Sequence, residues 1–303
     1  MELGIALPTS GPLAGPAAIA RVAQEAEQLG YDSLWTYERL LRPTAPVSMG
    51  GGDPQPVPEI YRVVYEPLET LSYVAALTDR IKLGTSIIDA LLHPAVVLAK
   101  RLATLDQLSG GRTVAGLGQG WMPQEFAAAG VPMSRIGRGM DEVVAAMRAC
   151  WGPDPVAYEG DFTHIATSEI NPKPVQPRLP VLLGAMTPGG IRRAARIADG
   201  LNPVVITRDT LIDMTKAFRA AVEEQGRDPG SVTVVARANV PLTAEPLGDE
   251  RPFLGGSPRQ VADDLAGLEG TGVDHVLLAT AGTETGLDET LSLYSDLIHL
   301  ARR

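Results

Sequence analysis

A single cysteine, Cys150, stands among 303 residues. One thiol cannot close an internal disulfide, and it leaves no cysteine pair for a zinc or iron–sulfur site. The four histidines, His93, His164, His275 and His299, are far apart, and HExxH, CxxC and acidic calcium-loop spacings are all missing. No metal site is expected on that basis. A Gly-x-Ser-x-Gly elbow is missing too, which removes the common hydrolase signature. No apolar run reaches the roughly 18 residues of a membrane-spanning helix. The opening MELGIALPTSGPLAG lacks the basic and apolar regions of a secretory signal, so a cytoplasmic protein is expected. Basic charge is also short: Lys+Arg is 26, of which only 4 are Lys, against 36 Asp+Glu, for a net charge of −10. Such a surface disfavours nucleic acid and anionic membrane as partners. Nor is there an internal repeat, a heptad run or a low-complexity tail.

What the chain does have is apolar substance. Hydrophobic residues make up 45% and charged residues 20%, enough for a large core and against wholesale disorder. Short apolar runs start at Leu3, Ser33, Ile81, Thr113, Pro180, Gly200, Val232 and His275. Several lack polar alternation, as strands buried on both faces do. Helical patterns lie between them, over residues 16–29, 94–108, 137–151, 190–198, 210–225, 258–268 and 287–301. This alternation predicts a (β/α)8 TIM barrel over a single domain, residues 1–303, with a doubly wound open sheet as the other candidate. Two Pro- and Gly-rich stretches, 42–66 and 152–180, break the rhythm and read as long insertion loops. The first follows strand two and opens on the C-terminal face, where barrel enzymes keep their sites. The second lies between a helix and the next strand and need not reach the site.

Several segments offer chemistry. Glu38-Arg39 closes strand two, an acid beside a base at the C-terminal end, where a surface ion pair is the plain alternative. Gly116-Leu117-Gly118-Gln119-Gly120, followed by Trp121, ends strand four. It is not GxGxxG and it follows the fourth strand, not the first, so a nicotinamide-binding Rossmann unit is disfavoured. Its glycines let a flat ligand approach the backbone. The segment Gly184-Ala185-Met186-Thr187-Pro188-Gly189-Gly190 joins a strand to a helix, whose free N–H groups suit a phosphate. His93-Pro94 opens a helix, where a lone histidine reads first as a capping or packing residue. Arg237 interrupts VTVVARANV, so it either forms a buried ion pair or points into the site.

Taken together, these residues resemble the bacterial luciferase-like superfamily, and more narrowly its coenzyme F420-dependent oxidoreductases. The resemblance rests on AEQLGYDSLWTYERLLRP from Ala26, YEPLETLSYVAALTDRIKLGTSI from Tyr65, LLHPAVVLAKRLATLDQLSGGR from Leu91, GLGQGWMPQEFAAAG from Gly116 and LLGAMTPGGIRRAARIADG from Leu182. It covers nearly the whole chain. It implies a (β/α)8 barrel, a homodimer, and coenzyme F420 at the C-terminal mouth, with FMN as the alternative cofactor. A composition rich in Arg, Ala, Gly and Pro, as in a GC-rich genome, tilts the choice to F420.

The resemblance also implies site residues. A bulge with a non-prolyl cis peptide falls at Ser86-Ile87 and backs the deazaflavin. Gly118, Gln119, Gly120 and Trp121 would bind the cofactor at the end of strand four. Its phosphate would lie at Gly184, Ala185, Met186, Thr187, Pro188, Gly189 and Gly190. Glu38 and Arg39 take the catalytic positions. F420-dependent alcohol dehydrogenases of this family carry an Asp-His pair there, and arginine does not act as a base at neutral pH. The implied function is therefore hydride transfer between the deazaflavin and a small-molecule substrate, as a reductase more than as an alcohol dehydrogenase. The alternatives are an FMN-dependent monooxygenase and a non-catalytic flavin- or F420-binding protein. A cofactor-free lyase or hydrolase is a further reading, for which no base and electrophile are found.

Overall fold

Each of the eight apolar runs becomes a strand in the computed structural model, which describes residues 1–48, 52–280 and 285–302. The strands are β1 (Glu2–Ala6), β2 (Ser33–Thr36), β3 (Lys82–Thr85), β4 (Thr113–Gly118), β5 (Val181–Leu183), β6 (Gly200–Leu201), β7 (Thr233–Ala238) and β8 (His275–Leu278). All pair in parallel with their sequence neighbours, and β8 pairs with β1, so the ring is closed and no edge is left. This is a (β/α)8 barrel, not the doubly wound open sheet.

The barrel interior is small because glycine and tryptophan divide it between them. Trp35 pairs in register with Gly84, and a Cβ on Gly84 would lie 2.3 Å from the indole ring. The ring fills the space that glycine leaves. Trp35 joins Leu182, Val235 and Leu277 in one interior layer. Below it, Trp35 Nε1 donates to Ser33 Oγ at 2.6 Å, which lies 2.8 Å from His275 Nε2. The interior is therefore plugged, and a ligand has access only to the layer above Trp35.

Helices α1 (Pro16–Leu29), α2 (Pro67–Ala75), α3 (Ala95–Ser109), α4 (Pro123–Ala128), α5 (Arg138–Trp151), α6 (Pro188–Ile197), α7 (Arg208–Glu224), α8 (Pro258–Ala266) and α9 (Leu287–Ala301) surround the strands. The start and stop signals act as expected in α1: Pro16 opens the first turn, and Gly30 closes it in the left-handed region with φ 89°. Helix α7 begins with a capping box, in which Thr207 accepts from the Thr210 N–H. Thr207→Ala is expected to cost about 1 kcal/mol of stability in urea denaturation.

Helix α2 was not expected, and the two insertion stretches are more ordered than loops. Within 42–66, Val47–Ser48 pairs antiparallel with Pro54–Gln55, and a 3-10 turn runs over Glu59–Arg62. Residues 49–51 of the GGGDPQPVP segment lie outside the described residues. Within 152–180, Val156–Glu159 pairs antiparallel with His164–Ser168. Pro54 masks the first pairing, since proline donates no ladder hydrogen bond, whereas no proline lies within 156–168. Among the described residues, no helix is long and apolar enough to cross a membrane.

Candidate active site

Alternation along the strands decides what faces the mouth. Trp35 and Val235 point inward, so Tyr37 and Arg237, two residues further on, stand one layer higher. The Arg237 guanidinium carbon lies 5.1 Å from the Tyr37 ring centroid, and the two close one side of the mouth. Tyr61, from the 42–66 stretch, packs edge-on to Tyr37 at 6.1 Å. That stretch therefore covers part of the site, as its position after β2 suggested. Trp35 lies in the plug below the mouth, whereas Trp121 is at its rim.

Glu38 and Arg39 do not pair with each other, and neither is a surface charge. Glu38 is 5% exposed. Its Oε2 accepts from the Asp89 N–H at 2.8 Å, and its Oε1 lies 2.7 Å from His93 Nε2. A carboxylate only accepts, so this contact places a proton on Nε2. His93, taken from sequence as a capping or packing residue, is thus the partner of Glu38. The missing signal was distance: 55 residues separate them. Arg39 Nη1 donates to Glu125 Oε2 at 2.5 Å, and Glu125 Oε1 also accepts from the Leu40 N–H at 2.8 Å. The Arg39 guanidinium is stacked near Tyr61 at 5.1 Å and Trp121 at 5.4 Å.

The opposite side of the mouth is built from backbone. The Ser86–Ile87 peptide is cis. Ser86 Oγ donates to Asn202 Oδ1 at 2.6 Å, and Asn202 Nδ2 donates to the Val235 carbonyl at 2.6 Å. The Ile87 side chain lies against Gly118 and Gly184, where added Cβ atoms would meet it at 2.4 and 3.2 Å. The ends of β4 and β5 are glycine for this reason. Immediately after, Ile88–Asp89 pairs in parallel with Leu117 and Gly118, so Asp89 is buried behind Gly118 and Gly120. Burial pushes its carboxyl up to about 7. Arg39 and the Gly120 N–H oppose that rise, and Glu38 and Glu125 reinforce it. Gln119 Oε1 accepts from the Gly137 N–H at 2.6 Å, which ties this corner to the start of α5.

At the end of β5, Thr187 caps α6 by accepting from the Gly190 N–H at 3.2 Å. The N–H groups of Ala185, Met186 and Thr187 make no hydrogen bond among the described residues. These exposed donors, with the positive end of α6, suit an anionic oxygen group. Ser86, Ile87, Gly118 to Trp121 and Gly184 to Gly190 therefore share one sector, on β3, β4 and β5. Tyr37 and Arg237 occupy the other, on β2 and β7. Two concavities lie elsewhere: one of about 30 Å³ between β1, α1 and α9, and one of about 500 Å³ at Met1, Glu2, Glu269 and Asp274 on the N-terminal face. Neither includes these groups. Among the described residues, no three His, Cys, Asp or Glu side chains are arranged to hold a metal ion.

The model of the luciferase-like monooxygenase family matches residues 1–247. The chain belongs to that family. A functionally unassigned protein of Mycobacterium tuberculosis is 34% identical to this luciferase-like chain over 279 residues, covering 88% of the chain and 95% of that protein. An F420-dependent glucose-6-phosphate dehydrogenase of Kineococcus radiotolerans is 29% identical over 228 residues, covering 72% of the chain and 61% of that enzyme. Among solved structures, a monooxygenase from Streptomyces bottropensis superposes with TM-score 0.81 at 23% identity, over 99% of the chain and 98% of that protein. The fold and family are thus those of luciferase-like oxidoreductases and monooxygenases.

Proposed function

We propose that this luciferase-like protein is an F420-dependent oxidoreductase that reduces a small organic substrate. The observation that supports it most is the backbone-built sector: Ile87 packed against the glycine ends of β4 and β5, and the N–H groups before α6, unpaired among the described residues. The donor set fits a flat ring with an attached phosphate. Ile87 with Gly118 and Gly184 would back the ring, Gly120 and Trp121 would border it, and Ala185 to Gly190 would hold the phosphate. When bound, the deazaflavin supplies a hydride. The chain's own residues supply the proton side. The Glu38–His93 pair holds a proton on Nε2 at 2.7 Å from the carboxylate. Arg39 is held by Glu125 and supplies no base, so proton exchange with the substrate falls to His93. Tyr61 and Trp121 shield this corner from water.

The test is a titration of the purified protein with F420 and, separately, with FMN, read by tryptophan fluorescence. Trp121 borders the proposed ring site, so quenching should be lost in Trp121→Leu. F420 is expected to bind at least about tenfold more tightly than FMN, a difference of about 1.4 kcal/mol. Tight binding of FMN alone, with O₂ consumption on reduced flavin, would move the protein to the monooxygenases. F420 binding without turnover on a broad panel would leave a carrier, and binding of neither would remove the proposal.

A further inference from the structure

Arg237 has an uncommon setting for a guanidinium inside a barrel mouth. It rises from an apolar strand, one layer above Val235, and its Nε donates to Asn239 Oδ1 at 2.8 Å. No carboxylate lies within ion-pair distance of it among the described residues. Arg39, Arg148 and Arg251 are neutralised by Glu125, Asp199 and Asp264. Arg112, which has no carboxylate partner among the described residues, donates to the carbonyls of Ser109, Ile81, Ala75 and Thr78; Arg237 has neither kind of partner set. The charged neighbour that bears on Arg237 is another cation, Arg39, alongside the phenols of Tyr37 and Tyr61. Burial lowers its proton affinity, yet a guanidinium stays charged. A half-buried cation with no counter-ion is costly unless an anion arrives.

The geometry also says which edge is on offer. Asn239 takes Nε, and the Tyr37 ring covers the guanidinium at 5.1 Å. That leaves the Nη1–Nη2 edge, two parallel N–H donors in one plane. A carboxylate matches this edge in both shape and charge, one negative against one positive. A phosphate with a second charge would leave that charge unmet. The edge lies on β7, in the sector of the mouth that the backbone-built cradle on β3, β4 and β5 does not use.

We infer that Arg237, oriented by Asn239 and Tyr37, is a carboxylate-binding subsite, so that the substrates of this protein are small organic acids bound through their carboxylate. The inference rests on the oxidoreductase reading for the word substrate. The subsite itself is testable without cofactor or turnover.

The experiment uses two probes of equal size and shape, benzoate and benzamide, titrated into the full-length protein by calorimetry with and without F420. Benzoate should bind at least about tenfold more tightly than benzamide, equivalent to about 1.4 kcal/mol. Arg237→Gln should abolish the preference, and Arg237→Lys should keep part of it. Thermal melts of both variants confirm that they are folded. Three results overturn the inference: equal affinity for the two probes, a benzoate preference that survives in Arg237→Gln, or no benzoate binding in either state. Inorganic phosphate displacing benzoate at equal concentration overturns the carboxylate assignment in favour of a phosphate. Failure of F420 to bind, with an Arg237-dependent benzoate preference intact, removes the F420-dependent reading and leaves the subsite standing. F420 binding and turnover with no role for Arg237 does the reverse.

Discussion

Glu125→Ala is expected to destabilise the protein by about 3–5 kcal/mol, the usual cost of leaving one member of a buried ion pair alone. The Glu125 side chain is 1% exposed and that of Arg39 9%. Solvent therefore screens neither, and the discount that applies to surface pairs does not apply here. The carboxylate has two further duties. It accepts from the Leu40 N–H at 2.8 Å and fixes the chain as it leaves β2. Its loss frees Arg39 to leave Trp121 and Tyr61, so the rim of the site should loosen with it. Replacing both partners, Arg39→Met with Glu125→Leu, should recover most of the loss, because no uncompensated charge remains. Urea denaturation of the wild type, Glu125→Leu, Arg39→Met and the double variant, alongside Glu125→Ala, measures this. A cost below about 1 kcal/mol for Glu125→Ala would place the pair among screened surface bridges and would remove it as an organiser of the mouth.

The barrel was legible in the sequence because its evidence is local and periodic. Buried strands such as VLL at 181–183 and HVLL at 275–278 carry their class in composition, and Pro16 and Gly30 mark the ends of α1 by their backbone demands. Helix α2 was less legible, since it is only nine residues long and follows a proline-rich stretch. The bulge at Ser86–Ile87 was expected only through resemblance, and the structure has the cis bond there.

Pairing across the mouth was not legible. Glu38 is adjacent to Arg39 in sequence, yet each finds its partner elsewhere, 55 and 86 residues away. Adjacent residues on a strand point to opposite faces, so an i,i+1 acid–base pair at a strand end is poorly placed to meet. That rule was available from sequence and argues against the neighbour pairing. What no local pattern supplies is the partner, because β2 meets the loops of β3 and β4 only after the barrel closes. Arg237 was narrower: inside an apolar strand it had to be either paired or facing the site, and alternation from Val235 places it at the mouth.

Stability should fall as pH rises from about 4 to about 7, and Asp89→Asn should remove that fall. Burial raises the Asp89 carboxyl from its ordinary 3.8 to about 7. In this interval the folded protein holds a proton that the unfolded chain has released. Unfolding then releases protons, so raising the pH favours the unfolded state. The contribution is fully favourable below 3.8, is lost progressively up to about 7, and stays lost above it. The gap between these values sets an upper bound of about 4 kcal/mol, with Arg39 and the Gly120 N–H already included as opposing influences. Asparagine keeps the shape and can still accept from the Gly120 N–H, but it does not titrate. At pH 8 the variant should therefore be the more stable protein, and at pH 4 the two should be alike. Urea midpoints measured from pH 4 to 9 decide the matter, and parallel curves for the two proteins would show that Asp89 does not titrate in this range. The same group lies directly behind Gly118 and Gly120, so its ionisation near pH 7 adds a negative charge beneath the cradle. An anionic ligand there should bind more weakly above pH 7 in the wild type but not in Asp89→Asn.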